Sequence, residues 1–201
     1  MRQNVNEDAE SRNEYCEVII DEAKKMNEMV KELLLLSQLE SGQAFFYPEP
    51  FDIKASILKT ATRMRNLVDP HNVRFELDLQ PGVEWVKGDE PKINQVINNY
   101  LSNAVYFVSK PGVIRVSLEA SASRARISVY NTGPLIPEEE MEQIWESFYK
   151  VDKARTRVDS GTGLGLSIVK GIMDMHQSPY GVYNARDGVV FWFELPLADG
   201  V

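Results

Sequence analysis

The sequence predicts a chain of the α+β class: a long coiled-coil-like helix, then a domain in which helices and strands are mixed. Three observations carry this. A near-heptad apolar stripe runs through residues 13–38. Residues 73–79, 114–118, 127–129 and 180–195 alternate apolar and polar positions as half-buried strands do. Helical periodicities fill the spaces between them, and the last of these opens on three glycines at every second position, Gly161, Gly163 and Gly165.

In the first helix, Cys16, Ile19, Ala23, Met26, Val30 and Leu33 recur three and four apart, and Tyr15, Met29 and Leu36 widen the stripe. Such a seam packs against another helix. No second helix of this kind follows, so the expected mate is a second copy or sequence outside residues 1–201. The alternative is that the helix lies on its own domain. Cys16, on the seam and the single cysteine, is expected to be a buried thiol in a reducing compartment. Ser41-Gly42 stops the helix.

Tyr47-Pro48-Glu49-Pro50-Phe51 is a proline-stiffened connector and a boundary. Asp52 is placed to cap a helix with Ile53, Ile57, Leu58, Ala61 and Met64 on one face. A strand follows at 73–79 and a short one at 83–86. A long helix starts near Asp89, with Pro91 in its first turn. It carries Asn94, Asn98, Asn99 and Asn103 among its apolar residues, although asparagine is a mediocre helix former. Asn99 and Asn103 share a face. Their amide oxygens suit a hard cation such as Mg²⁺; a solvated face or amides bonded to backbone is the plainer explanation. Two more strands lead to Asn131-Thr132-Gly133-Pro134-Leu135-Ile136-Pro137, which breaks the second. An acidic helical turn follows at Glu138. Trp145, Phe148 and Tyr149 form an aromatic knot, of the kind that usually packs in a core. A hairpin about Asp187-Gly188 closes the domain.

Net charge of −8 argues against nucleic acid as a main partner. No apolar run approaches the ~20 residues that span a bilayer, and no signal peptide is read.

The glycine-rich stretch carries the chemistry. A glycine turn opening a helix presents bare N–H groups and the positive end of the helix dipole, which favours phosphate. The residues before it, 152–160, are charged and lack strand alternation, unlike the dinucleotide-binding turn. No Gly-Lys-Ser/Thr follows, so it is not a P-loop. A long charged loop ending in a glycine-hinged helix suits a lid over a polyphosphate.

Together these segments resemble the catalytic, ATP-binding domain of bacterial sensor histidine kinases, in the superfamily shared with gyrase, Hsp90 and MutL. The resemblance covers about residues 13–197. Gln95-Val96-Ile97-Asn98-Asn99-Tyr100-Leu101-Ser102-Asn103-Ala104 is similar to the family's asparagine box. Asn131-Thr132-Gly133 stands where the first glycine box lies, Phe148-Tyr149-Lys150-Val151-Asp152 resembles the phenylalanine box, and Gly161-Thr162-Gly163-Leu164-Gly165-Leu166 the second glycine box. The tail Phe191-Trp192-Phe193-Glu194-Leu195-Pro196 is similar to the family's closing strand, and Leu33-Leu34-Leu35-Leu36-Ser37-Gln38-Leu39-Glu40-Ser41-Gly42 to the end of its second dimerisation helix.

The resemblance implies a two-layer α/β sandwich, a mixed sheet covered by helices on one face, with ATP between helices and lid. Residues 1–44 would be the second helix of a dimerisation and phosphotransfer domain whose first helix is missing, and 45–201 the ATP-binding catalytic domain. Asn103 would coordinate Mg²⁺ bridging the phosphates, with Asn99 assisting. The backbone at Gly161, Thr162, Gly163, Leu164 and Gly165 would meet the phosphates, and Lys153 and Arg155 would balance their charge. Tyr106, Asn131, Gly133, Ile136 and Tyr149 complete the implied ATP-binding set. The chain would be the cytoplasmic portion of a membrane-anchored bacterial sensor kinase, a homodimer when full-length. Its partner would be a cognate response regulator, with no nucleic acid and no membrane contact by this part.

Departures from the family pattern accompany these implications. Asn131 replaces the aspartate that reads adenine; its amide oxygen still accepts a hydrogen bond but without charge, so Asn131→Asp is expected to tighten nucleotide binding. Leu135 replaces a glycine, and Tyr106 a lysine, for which Lys110, Lys150 or the lid would substitute. The phosphoacceptor motif on the first dimerisation helix is absent; the two histidines, His71 and His176, lie outside any such motif. The chain is therefore expected to bind ATP without phosphorylating itself. Two alternatives follow: a slow ATPase of the gyrase and Hsp90 type, in which Asn99 holds the position of the glutamate base, or a signalling module that has lost catalysis.

Overall fold

A computed structural model describes residues 9–121, 123–151 and 162–198. Helix α1 (Ala9–Glu40) leads into strand β1 (Glu49–Asp52), helix α2 (Ile53–Arg65), strands β2 (Val73–Leu79) and β3 (Trp85–Gly88), and helix α3 (Glu90–Phe107). Strands β4 (Gly112–Ser121) and β5 (Arg124–Thr132) follow, then two 3-10 turns, Glu138–Glu140 and Gln143–Trp145, helix α4 (Gly165–Met175), and strands β6 (Tyr180–Asn184) and β7 (Gly188–Pro196).

The main sheet has the order β2-β4-β5-β7-β6, with β2 parallel to β4 and the other pairs antiparallel. A mixed α+β architecture with a long leading helix is thus what the chain adopts. Alternation decides which face is covered. Ile114, Val116 and Leu118 of β4, Ile127 and Val129 of β5, and Phe191 and Phe193 of β7 point into the core, while Arg115, Arg126 and Trp192 face outward. Against the inner face lie Ile93, Ile97, Tyr100 and Leu101 of α3 and Ile168 and Ile172 of α4, all fully buried. The Tyr100 ring rests on Phe191 and Phe193, and its hydroxyl donates to the Trp192 carbonyl at 3.3 Å.

Both predicted caps are present. Asp52 accepts from the Ala55 N–H at 2.8 Å. Asp89 accepts from the Lys92 N–H at 3.3 Å and also from the Tyr47 N–H and Lys92 Nζ, each at 3.1 Å. Burial alone would raise the Asp89 pKa; these hydrogen bonds and the Lys92 charge outweigh it and hold the carboxyl below its usual range.

Several expectations change. The proline-rich connector is partly a strand: β1 pairs antiparallel with β3, Pro50 opposite Lys87, and an edge strand tolerates proline. The short strand expected at 83–86 sits two residues later. The break expected over 131–137 falls after Thr132: Asn131 and Thr132 still pair with Val189 and Gly188 and end β5. The α1 seam divides. Its last turns lie on the chain's own α4, with Leu36 buried and Leu35 and Leu39 partly so. Upstream, Ile19, Met26 and Val30 are more than half exposed. Cys16 is exposed too, contrary to expectation, because nothing among the described residues covers that part of the stripe. No helix among the described residues is long and apolar enough to cross a membrane.

Candidate functional site

Helix α3 is the wall along which the predicted motifs assemble. Asn99 is buried, and its Nδ2 donates to the Gly165 carbonyl at 2.9 Å, joining the asparagine helix to the first residue of the glycine-rich helix. Asn99 therefore bonds to backbone, the plainer expectation, while its Oδ1 takes no hydrogen bond among the described residues. One turn on, half-buried Asn103 makes none among them either. Asn98 faces away and accepts from the Arg63 guanidinium. At the C-terminal end of α3, the Ser109 N–H donates to the Thr132 carbonyl at 2.9 Å, which ties the end of β5 to this helix. From Asn99 to Phe107 the helix rises about 12 Å.

The second glycine segment is held on two sides. Gly163 has φ +75, and a Cβ there would stand 3.1 Å from Phe148 Cα; its carbonyl accepts from the Phe148 N–H at 2.9 Å. The Lys150 stem lies against the same glycine. Phe148 pays for this clasp with a φ of +66 and a side chain 60% exposed, so the aromatic knot is not all core. Trp145 is partly buried against the core and packs edge-on against Tyr180 at 5.0 Å. Leu164 is fully buried, and α4 begins at Gly165 with no side-chain cap. Thr162 Oγ1 accepts from the Leu164 N–H at 3.2 Å and donates to a Glu32 carboxylate oxygen of α1 at 2.8 Å.

The remaining predicted residues have the following surroundings. Asn131 is buried, and its Nδ2 donates to the Thr132 carbonyl at 3.2 Å. The Gly133 N–H donates to the Asp187 carbonyl. Ile136 is clamped through its backbone by Asn184, which accepts from its N–H at 3.0 Å and donates to its carbonyl at 2.7 Å. Sequence reasoning missed Asn184 and Glu32, and no spacing pattern marks either. Tyr106 is exposed and stands edge-on to Phe107 at 4.7 Å. Tyr149 is half-buried, and burial, then the Glu140 charge, push its pKa up. Lys153, Arg155 and Gly161 lie outside the described residues.

His176 is structural. Its Nδ1 lies 2.8 Å from the Ile172 carbonyl and its Nε2 3.0 Å from the Asp89 N–H. A carbonyl only accepts and an N–H only donates, so the ring is neutral with its proton on Nδ1. Burial, the largest cause, lowers its pKa.

A family model described as histidine kinase-, DNA gyrase B-, and HSP90-like ATPase matches residues 88–199, more than half of the chain. The chain belongs to this family. It is 30% identical over 189 residues to the sensor protein VanSB of Enterococcus faecalis, covering 94% of this chain and 42% of that protein. Among solved structures it resembles the catalytic domain of the histidine kinase ThkA, at 31% identity and a TM-score of 0.66, over 75% of this chain and 98% of that one. ThkA in complex with the response regulator protein TrrA matches at 25% identity and a TM-score of 0.72, over 96% of this chain and 53% of that one. Full-length ShkA in complex with AMPPNP matches at 25% identity and a TM-score of 0.83, over 96% and 40%. This chain thus spans under half the length of VanSB.

Proposed function

We propose that residues 45–201 form the ATP-binding catalytic domain of a sensor histidine kinase and that residues 1–44 end its dimerisation helix pair. The domain would transfer the γ-phosphate of ATP to a histidine other than His71 and His176, for relay to a response regulator. The observation that carries this reading is the bond from Asn99 Nδ2 to the Gly165 carbonyl. It sets an amide-bearing helix face against an uncapped helix N-terminus.

The residues fit a magnesium nucleotide. Among the described residues no three His, Cys, Asp or Glu side chains gather to hold a metal. Mg²⁺ would be held by the Asn103 Oδ1, helped by the Asn99 Oδ1, and chiefly by the phosphates, which the ion neutralises. The backbone N–H of Gly165 and, once released from the Thr162 hydroxyl, that of Leu164 would meet the phosphates. The Asn131 Oδ1, oriented by the bond its Nδ2 makes, would accept from the adenine amino group. Lys153 and Arg155, outside the described residues, would balance the charge of the phosphates. The full-length protein would be a membrane-anchored homodimer with these residues in the cytoplasm. The exposed stripe on α1 supports that reading, since it awaits a helical mate.

Mg·ATP at 100 times its Kd would stabilise the native state by about 2.7 kcal/mol, read as a rise of several degrees in melting temperature. With γ-labelled ATP the chain should acquire no acid-labile label. Absence of any thermal shift favours a signalling module without catalysis, and brisk hydrolysis favours an ATPase of the gyrase type.

A further inference from the structure

Helix α4 starts without an acceptor of its own: Leu164, at the N-cap position, offers no oxygen to the first-turn N–H groups. The oxygen that does reach this end is the Thr162 hydroxyl, which accepts from the Leu164 N–H. Its own proton is committed elsewhere, to the carboxylate of Glu32, 130 residues earlier in the chain. Glu32 is delivered there by packing. One turn later Leu36 is buried, and the next turn sets Leu39 over Gly171 of α4, where a Cβ would stand 3.1 Å from the leucine. Docking α1 on α4 thus brings a negative charge to the positive end of a helix, at the place where the proposed nucleotide carries its phosphates.

We propose that Glu32 is an internal competitor of the nucleotide phosphates, so that docking of α1 on α4 and binding of a nucleoside polyphosphate oppose each other. Two anions at one helix terminus repel, and a Thr162 proton held by Glu32 is turned from the phosphate. Binding linkage is reciprocal: any force that draws α1 off α4 raises nucleotide affinity, and nucleotide loosens α1 by the same factor. Helix α1 and the site proposed for ATP are coupled through one hydroxyl. This inference rests on the nucleotide reading above.

The test is calorimetric titration of the intact chain with Mg·ATP and with adenosine, which lacks phosphate. Glu32→Gln keeps an oxygen for the Thr162 hydroxyl and removes the charge; Glu32→Ala removes both. Each is expected to tighten Mg·ATP about three- to tenfold and to leave adenosine unchanged, the range that one charge at a helix end supplies. In parallel, saturating Mg·ATP should speed amide exchange across residues 30–40 of the wild type and not of Glu32→Gln. Equal ATP affinity in all three proteins, or an equal shift for adenosine, overturns the competition while leaving the site in place. Failure of all three to bind ATP overturns the site itself, and the competition with it.

Discussion

Two regions of this molecule are polar, in opposite ways. The outer face of the sheet carries an open groove of about 610 Å³, lined by Arg115, Ser117, Arg126, Ser128, Tyr130 and Asp187 among others. Its charges answer one another. Arg115 meets Glu76 at 2.7 Å, Arg126 meets Glu194 at 2.7 Å and lies 4.2 Å over the Trp192 ring, and the Tyr130 hydroxyl donates to Asp187 at 2.7 Å. Burial and then that bond push the Tyr130 pKa up to about 12. The cleft between α3 and α4 is the reverse. Asn103 has no hydrogen bond among the described residues, Asn99 spends its amide hydrogens and keeps its oxygen, and the start of α4 is uncapped. Pairing of the polar groups is what separates the two regions. Unspent hydrogen-bonding capacity beside a helix terminus is the guide to a binding site, because a ligand gains only where groups are not already paired.

The largest effect that would sharpen this contrast belongs to Asn103. Asn103→Ala removes an amide that holds nothing in the protein, so the melting temperature without nucleotide should stay within ~2 °C. Affinity for Mg·ATP should fall on the order of 100-fold, about 2.7 kcal/mol, as loss of a positioned metal ligand does. Calorimetry showing full affinity would break the contrast, and so would a collapse in stability.

How much of this was legible in the sequence follows from where each contact lies along the chain. The asparagines at four-residue spacing and the glycines at two-residue spacing declare their local geometry, since each is repeated inside one element. That Asn99 and Gly165 meet came from the resemblance, and the bond between them needed coordinates. Glu32 and Thr162 were illegible as a pair: one glutamate among many on an acidic helix carries no signal for a partner 130 residues away. Asn184 was hidden likewise, a turn-side amide whose task is to clamp the backbone of Ile136. The error at Cys16 has a different cause. Its heptad position is correct, but the stripe meets α4 only over its last turns, and periodicity does not tell which turns are covered.

An intermediate effect tests a third polar place, where α3 begins. Here the groups are paired, as Arg115, Arg126 and Tyr130 are in the groove, but buried. His176 accepts from the Asp89 N–H only while neutral. Its folded pKa lies below 6.5, so the stability it contributes is whole above 6.5 and is lost as pH falls through the depressed value. Asp89 and Lys92 are the charged groups nearest it, and the Asp89 carboxyl, also depressed, titrates at lower pH. Protonation would set two donors against each other, a cost of about 1 kcal/mol. Denaturant unfolding should therefore show the free energy falling below pH 6.5, and His176→Asn should flatten that slope. An unchanged slope in the variant assigns the loss to other groups.

The smallest effect is the most pointed, because it asks whether a larger cavity can be irrelevant to binding. Arg126→Ala opens the groove further, removing a guanidinium that bonds the Glu194 carboxylate opposite it on β7 and stacks on Trp192. The side chain is 44% exposed, so ion pair and ring contact together are worth roughly 0.5–1 kcal/mol. That lowers the melting temperature by about 1–4 °C. The cleft lies across the sheet and shares no partner with Arg126, and distant sites without shared partners act additively. Mg·ATP affinity should accordingly match the wild type within error. A severalfold change in affinity with little change in melting temperature would mean that the paired face is energetically joined to the unpaired one. The division between spent and unspent polar groups would then no longer mark where this chain binds its ligand.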